Sequence, residues 1–173
     1  MRILITEAQI QERLSEMARE IGADYRGQPL TIVGVLTGSV MFLADLVRRL
    51  DLPLRIGLIQ ASSYRGATTT SGRLHIGVEI LADVRGRHVL LLDDILDTGQ
   101  TLSHLVQHLR EQGALTVKVA VLLHKQKAQV HPVRVDYVGF EIPDEFVIGY
   151  GLDYNDEYRQ LPYVAVLPRE LPT

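Results

Sequence analysis

Cysteine is absent from the 173-residue chain, which excludes disulfides, thiolate metal sites and a cysteine nucleophile. Positive charge is not in excess either: the net charge of −3 gives the whole chain no attraction for nucleic acid or an anionic membrane. No apolar run approaches membrane-spanning length, and Glu7 and Glu12 come too early for a signal peptide. We therefore expect a cytoplasmic protein that binds neither nucleic acid nor membrane.

Two common nucleotide-binding sequences are also missing. No G-x-x-x-x-G-K-[ST] loop occurs in the chain, and Gly34 and Gly38 do not make a dinucleotide-binding fingerprint. Any bound polyanion must therefore be met by another kind of loop or through a metal ion. The length fits one domain with a substantial core, and we expect residues 1–173 to form it.

The most informative segment runs from Val89 to Leu102 and reads VLLLDDILDTGQTL. Its apolar start lacks polar alternation, which favours a strand buried on both faces of a parallel sheet. Asp93, Asp94 and Asp97 then fall at the carboxyl end of that strand, where open α/β sheets bind ligands. The Thr98-Gly99-Gln100-Thr101 turn that follows is typical of a helix start that binds an anion. We interpret the segment as a phosphate-and-ribose site.

Asp and Thr also cap helices at ordinary strand-to-helix turns, and this is the competing interpretation. A cap, however, needs only one acceptor. Three carboxylates within five residues repel one another unless cations or hydrogen-bond donors compensate them. We therefore favour a binding site over a set of caps.

Alternating strands and helices predict a mostly parallel α/β sheet flanked by helices. Thr6 and Gln9 form a candidate capping box before an amphipathic helix. Strands are predicted at residues 31–36, 54–60, 74–80, 88–92, 117–123 and 135–139, with helices after residue 39 and at 98–112. The polar segment 61–73 predicts a mobile loop, and the proline-containing tail 141–168 predicts an irregular flap.

Several markers occur together in a fixed order: Leu36-Thr-Gly-Ser39, the Ser63-Tyr64 pair, LLLDDILDTGQTL at 90–102, Lys125, and VGFEIPDEFVIGYGLDY at 138–154. They span nearly the whole chain and resemble the bacterial hypoxanthine-guanine phosphoribosyltransferases, of the type I phosphoribosyltransferase fold. The resemblance implies a mostly parallel central sheet flanked by helices. It also implies a small hood over the site, formed by the N-terminal segment and part of 141–168.

The resemblance implies an enzyme of purine salvage. A 6-oxopurine such as hypoxanthine or guanine would displace pyrophosphate from 5-phosphoribosyl 1-diphosphate (PRPP), giving IMP or GMP. The resemblance also implies Mg²⁺, with two ions per active site when substrates are bound, and a homodimer or homotetramer. Displacement at an anomeric carbon places positive charge on the ribose and negative charge on the leaving group, so the site must orient both and exclude water.

Each matching residue takes an implied role. The residues that would bind the ribose and 5-phosphate are Asp93, Asp94, Asp97, Thr98, Gly99, Gln100 and Thr101. The residues that would bind pyrophosphate are Leu36, Thr37, Gly38, Ser39 and Arg159. The residues that would bind the purine are Lys125, Phe146, Val147 and Asp153.

Asp97 is also implied as the catalytic residue that accepts the proton of purine N7. Metal contacts, direct or through water, are implied for Asp93, Asp94 and Asp153. Ser63 and Tyr64 are implied to belong to a flexible lid. Taken without the resemblance, Lys125, Asp153 and Arg159 are ordinary surface residues and Phe146 is a core residue.

Two positions depart from the family pattern. Thr37 stands where many relatives have lysine, so pyrophosphate binding should rely more on the backbone, the metal ion and Arg159. Asp93 stands where relatives often have glutamate, which shortens the reach of the carboxylate by one methylene group. The resemblance further predicts a non-proline cis peptide between Leu36 and Thr37.

Two alternative functions are weighed, since fold alone does not fix activity. One is a nucleotide-responsive regulatory protein that keeps this fold and binds RNA or DNA. The lack of a pronounced basic run and of an added helix-turn-helix segment argues against it. The other is a xanthine-preferring transferase, because Lys125 would serve the same purine oxygen in all three bases.

Overall fold

The computed structural model describes residues 1–64 and 75–168. The elements in chain order are β1 (Arg2–Ile5), α1 (Glu7–Asp24), β2 (Leu30–Val35), α2 (Val40–Val47), β3 (Leu54–Tyr64), β4 (His75–Leu81), β5 (His88–Leu96), α3 (Gln100–Glu111), β6 (Thr116–Lys125), β7 (Tyr137–Ile142), β8 (Val147–Ile148) and β9 (Val164–Val166). Among the helices of these two ranges, none combines the length and the apolar character needed to cross a membrane.

The larger sheet has β2 and β5 at its centre and is covered on both faces. Its strands lie in the order β4-β3-β2-β5-β6-β7, and every pair is parallel except β3 with β4. Leu90 and Leu92 face one core with α1 and α2, whereas Val89 and Leu91 face a second core with α3. Both faces of β5 are therefore buried, which explains its unbroken apolar run. The predicted α/β class with a mostly parallel sheet is confirmed.

Helix α1 begins where the sequence predicts. The Thr6 side chain accepts a hydrogen bond from the Gln9 backbone, and the Gln9 side chain accepts one from the Thr6 backbone. These reciprocal bonds satisfy two N–H groups that the first helical turn leaves without partners. The residues buried on its inner face are Ile10, Leu14, Met17, Ala18 and Ile21. Each large apolar side chain buried there contributes roughly 1.5–3 kcal/mol.

Strands β3 and β5 each extend four residues beyond their predicted ends. β5 continues to Leu96 because Asp93, Ile95 and Leu96 pair with β6, so Asp93 and Asp94 lie within the strand instead of after it. β3 continues to Tyr64, which pairs with His75 of β4. Residues 61–64 therefore form strand instead of the predicted loop, and a lid that includes Ser63 and Tyr64 stays a prediction. The rest of the predicted loop, residues 65–73, lies outside the described residues.

The tail forms a second sheet where the sequence predicts an irregular flap. β9 pairs antiparallel with both β1 and β8, in the order β1-β9-β8. A small core of Ile148, Ala165 and Leu167 lies beneath it, and Arg2 forms an ion pair of 2.9 Å with Glu145. The prediction is wrong for these strands because short β-segments separated by prolines leave little periodicity to detect.

Candidate functional site

The candidate site lies along one edge of the larger sheet. β2, β5, β6 and β7 are neighbours and run parallel, so their carboxyl ends meet there. The 36–39 loop follows β2, Asp97 follows β5, Lys125 ends β6, and Asp144 comes shortly after β7. The sheet order thus brings together residues that are up to about a hundred positions apart in sequence.

Asp93 and Asp94 form a buried acidic pair. Asp93 is 9% exposed, and its Oδ1 accepts a hydrogen bond of 2.9 Å from the Asp94 backbone N–H. Burial, followed by the negative charge of Asp94, raises the pKa of Asp93 well above its usual value. Burial also raises the pKa of Asp94. Hydrogen bonds and the charge of Arg159 lower this pKa, but they offset the effect of burial only in part. Within the described part of the chain, the ion pairs include neither carboxylate.

The 36–39 loop lies directly against this acidic pair. The Leu36–Thr37 peptide is cis, as predicted. A Cβ added at Gly38 would lie 1.9 Å from Oδ2 of Asp94, and a Cβ added at Gly151 would lie 2.0 Å from the Gly38 carbonyl oxygen. Both positions therefore require glycine, and Gly151 also has a φ of 100°. Ser39 is fully buried, and its Oγ has no hydrogen-bond partner among the described residues.

Helix α3 begins beside the acidic pair. It starts at Gln100 instead of the predicted Thr98, because Gly99 adopts a left-handed conformation with a φ of 82°. The Thr98 carbonyl accepts a hydrogen bond of 3.0 Å from the His131 backbone, which fixes the turn from outside the helix. Thr101 lies in the first turn, whose N–H groups have no partner inside a helix and favour an anion.

Asp97 forms ion pairs with lysines from the neighbouring strand. Lys125 is 9% exposed, and its Nζ lies 3.2 Å from Asp97 Oδ2 and 3.2 Å from Asp144 Oδ1. Lys127 also contacts both carboxylates. Burial alone would raise the pKa of Asp97, but hydrogen bonds from Lys127 and then Lys125 outweigh it and hold the pKa below its usual value.

Lys127 and Asp144 are residues of this site that the sequence analysis missed. The relevant signal was present, because Lys127 follows Lys125 by two positions and Asp144 lies in the VGFEIPDEFVIGYGLDY run. What the sequence lacks is the pairing of β6 with β7, which places Lys125 opposite Ile142. That register brings the two strand ends to the same place.

Beside Lys125 lies a cavity of about 480 Å³. The described residues that line it are Lys125, Asp144, Glu145, Phe146, Tyr154, Leu167 and Pro168. Phe146 is 48% exposed and meets Tyr154 edge-to-face, with ring centroids 6.0 Å apart, so it is not a core residue. Val147 is buried in β8. A larger cavity of about 670 Å³ lies between α3 and the start of β6 and shares none of these residues.

Arg159 is linked to the 36–39 loop through Gly151. Its Nη1 donates a hydrogen bond of 2.7 Å to the Gly151 carbonyl, so it is fixed to the backbone that touches Gly38. Its Nη2 lies 3.1 Å from Asp153 and 3.2 Å from Asp156. Asp153, implied by the resemblance for the purine and a metal ion, therefore has Arg159 as its immediate partner here.

Comparison with known proteins decides the family. A sequence model of the phosphoribosyl transferase domain matches residues 5–155. The chain belongs to the phosphoribosyltransferase family. The resemblance inferred from the sequence motifs is thereby confirmed.

Named relatives cover almost all of this phosphoribosyltransferase. The hypoxanthine-guanine phosphoribosyltransferase of Streptococcus pneumoniae is 41% identical over 170 residues, which are 98% of this chain and 94% of that protein. A hypoxanthine phosphoribosyltransferase structure from Staphylococcus aureus has a TM-score of 0.89 and 39% identity, covering 97% and 91% of the two chains. A Trypanosoma cruzi structure has a TM-score of 0.86 and 39% identity over 97% and 91%, and concerns the role of its C-terminal region in oligomeric state and activity.

The family implies a divalent metal ion, and the acidic pair fits one. Asp93 and Asp94 are two buried carboxylates side by side, and burial and, for Asp93, the charge of Asp94 raise their pKa values, so a cation between them would be stabilising. In the described residues, at this site or away from it, no group of three or more His, Asp or Glu side chains is placed to hold a metal ion. An ion that takes most of its ligands from water and substrate phosphates needs only one or two carboxylates. The acidic pair therefore suits an ion whose other ligands are water and the phosphate oxygens of a bound ligand.

The contact between Gly151 and the 36–39 loop predicts an unequal effect of two alanine substitutions. Gly151 and Gly27 both have a positive φ, but a Cβ at Gly27 would meet nothing within 4 Å. We expect Gly27→Ala to lower the free energy of unfolding by about 1–2 kcal/mol, from backbone conformation alone. Gly151→Ala should cost about 1–3 kcal/mol more, because the methyl group meets the Gly38 carbonyl. Urea unfolding of both variants measures the difference, and equal losses would contradict it.

Proposed function

We propose that this phosphoribosyltransferase transfers the 5-phosphoribosyl group of PRPP to hypoxanthine and guanine in purine salvage. The products are IMP or GMP and pyrophosphate. The observation that carries the proposal is the pairing of Lys125 with Asp97 beside the 480 Å³ cavity. An ammonium donor and a carboxylate acceptor about 3 Å apart match the oxygen and the ring N–H on one edge of a 6-oxopurine. The names of the relatives support the same activity.

The two substrates take different parts of the site. The turn from Thr98 to Thr101 binds the 5-phosphate at the start of α3. Asp93 and Asp94 meet the ribose hydroxyls, and their negative charge stabilises the positive charge that develops on the ribose. The 36–39 loop binds the diphosphate through its backbone, and Arg159 contributes the planar donor pair suited to phosphate oxygens.

The purine occupies the cavity beside Phe146, whose exposed ring can stack on a planar heterocycle. Lys125 donates to the oxygen at C6. Adenine would present an amino group there, so two donors would meet and the ammonium would lose its acceptor. The Val147 backbone lies at the purine edge and completes the recognition. Selection of an oxo over an amino group thus depends on one buried lysine.

Transfer forms the bond between purine N9 and ribose C1′ while the bond from C1′ to the pyrophosphate oxygen breaks. As N9 gives up its electron pair, the ring becomes more acidic and the N7 proton moves to Asp97. Contacts with the two lysines hold the pKa of Asp97 below its usual value, so the carboxylate is ionised before the proton is transferred. The pyrophosphate leaves with the electron pair of the broken bond.

Mg²⁺ belongs to the same proposal, with two ions per active site. Asp93 and Asp94 are the residues that would hold one ion, and Asp153 would hold the second through water. When bound, Mg²⁺ neutralises charge on the diphosphate and its leaving group.

We further propose that β1, β8 and β9 form the hood of a single domain, and that the protein is a homodimer or homotetramer. Val40 and Met41 support self-association, since both are apolar and more than a third exposed at the start of α2, next to the 36–39 loop. A shared interface there would hold the loop in place. The cytoplasmic location and the lid around Ser63 and Tyr64 stay predictions from the sequence.

The proposed function predicts a clear order of bases in a transfer assay. PRPP and Mg²⁺ are supplied with hypoxanthine, guanine, xanthine or adenine, and nucleotide formation is followed. We expect turnover of hypoxanthine and guanine and none of adenine. Faster turnover of xanthine than of either would favour the xanthine-preferring alternative. No turnover of any base, with PRPP still bound, would favour the regulatory alternative.

Replacing Asp97 by asparagine tests the proton transfer. The variant keeps the size of the side chain but cannot accept the N7 proton, so we expect kcat to fall by roughly 10²–10⁴-fold. Because the phosphate turn is unchanged, PRPP should bind with little loss, as calorimetric titration can measure. A turnover near that of the wild-type protein would remove Asp97 from this role.

The proposed self-association is tested by the mass in solution. The chain has a mass of 19.4 kDa, and we expect light scattering after gel filtration to give two or four times this value. Val40→Glu combined with Met41→Glu should lower the mass if these residues lie in the interface. Leu115→Glu is the matched control, because Leu115 is also an exposed apolar residue but lies before β6. A monomeric wild-type protein would contradict the proposal.

A further inference from the structure

Lysine is used sparingly in this chain. Of its 18 basic residues only three are lysine, namely Lys118, Lys125 and Lys127, and the others are arginine. Two of the three therefore lie at the end of β6, in the candidate site. Lysine presents a compact charge on a flexible stem, whereas the arginine fork is planar and rigid. A compact charge suits a position that must contact two carboxylates at once.

Lys125 and Lys127 reach the same place because the chain turns sharply after β6. The Lys127 backbone N–H donates a hydrogen bond of 2.9 Å to the Lys125 carbonyl. A similar turn follows β7, where the Glu145 N–H donates a bond of 2.8 Å to the Pro143 carbonyl and presents Asp144. Two lysines and two aspartates thus meet at the ends of three neighbouring strands.

Each oxygen of Asp97 has its own lysine. Oδ2 accepts a hydrogen bond of 3.2 Å from Lys125, and Oδ1 forms an ion pair with Lys127. Asp144 Oδ1 lies 3.2 Å from both lysines. The four charges balance, so each lysine can leave one carboxylate without leaving a charge unpaired.

The two lysines differ in their relation to the cavity. The Lys125 side chain is 10% exposed and lines the cavity, whereas the Lys127 side chain is 29% exposed and does not line it. In the proposed reaction Lys125 donates to the purine oxygen and must loosen its hold on Asp97. Lys127 is then the remaining cation beside the proton acceptor.

We propose that Lys127 is a positioning residue: it holds the Asp97 carboxylate in place beside the purine while Lys125 engages the purine oxygen. This inference rests on the proposed function and assigns Lys127 a part in it. Lys127 acts through Asp97 and touches no substrate itself. Asp144 holds Lys127 in turn, through a hydrogen bond of 3.2 Å.

The charges around Asp97 agree with this role. Hydrogen bonding to Asp97 is the main cause that raises the pKa of Lys127, so the lysine stays charged. Asp144 is the other acid that faces the two lysines, and Asp94 lies within β5, three residues before Asp97. His131 meets the turn after Asp97 through its backbone. Without Lys127, the pKa of Asp97 should rise, and the loss of rate should deepen as the pH falls.

Three variants test the inference. Lys127→Met removes the charge, Lys127→Arg keeps it, and Lys118→Met removes a matched charge from near the start of the same strand. Rates of a single turnover are measured with enzyme in excess over PRPP and with saturating hypoxanthine, between pH 5 and pH 8. Binding of both substrates and the thermal unfolding midpoint are measured for each variant, so that a folding defect is recognised.

We expect Lys127→Met to lower the single-turnover rate roughly tenfold at pH 7, because the proton acceptor is less firmly oriented, and further at pH 5. Binding of PRPP should be unchanged, Lys127→Arg should restore most of the rate, and Lys118→Met should match the wild type. A wild-type rate for Lys127→Met at both pH values would overturn the role of Lys127. So would a loss that does not vary with pH and is confined to hypoxanthine binding, because Lys127 would then contact the purine itself. An inactive wild-type protein would instead overturn the proposed function.

Discussion

The burial of β5 on both faces is the constraint on which the rest of the structure depends. Leu90 and Leu92 belong to the core under α1 and α2, and Val89 and Leu91 belong to the core under α3. A strand fixed in this way has no freedom to slide, because a shift by one residue would exchange its two faces. The acidic residues that follow are therefore held at one edge of the sheet. β2 and β6 pair with it in parallel and deliver their own ends to the same edge.

Two kinds of carboxylate result from this arrangement, within five positions of each other. Asp93 and Asp94 are buried beside each other, and their pKa values are raised. Asp97 stands beyond the last paired residue of the strand, within reach of lysines, and its pKa is lowered. Opposite shifts in neighbouring acids separate their chemical roles. Asp93 and Asp94 suit a cation that comes from outside the protein, whereas Asp97 already forms ion pairs with Lys125 and Lys127.

The sequence predicts features that depend on local chemistry. The capping box at Thr6, the buried character of β5 and the presence of α3, though not its first residue, follow from residue type and spacing, and the motif resemblance located the 36–39 loop. The sequence does not predict the second sheet, because β1 pairs with β9 across more than 150 residues. Nor does it predict that Asp144 meets Lys127, which depends on the register between β6 and β7. Long-range pairing is thus where local patterns stop being informative.

The cavity beside Lys125 is lined by residues from both sheets. Lys125 comes from the large sheet, whereas Phe146, Leu167 and Pro168 adjoin β8 and β9 of the small sheet. The turn at Thr98 and the acidic pair involve the large sheet alone. The site therefore has two parts. The large sheet carries the turn and the acidic pair, and the small sheet supplies one wall of the cavity. Changes confined to the small sheet could alter which base fits while the anchor for the phosphorylated sugar stays constant.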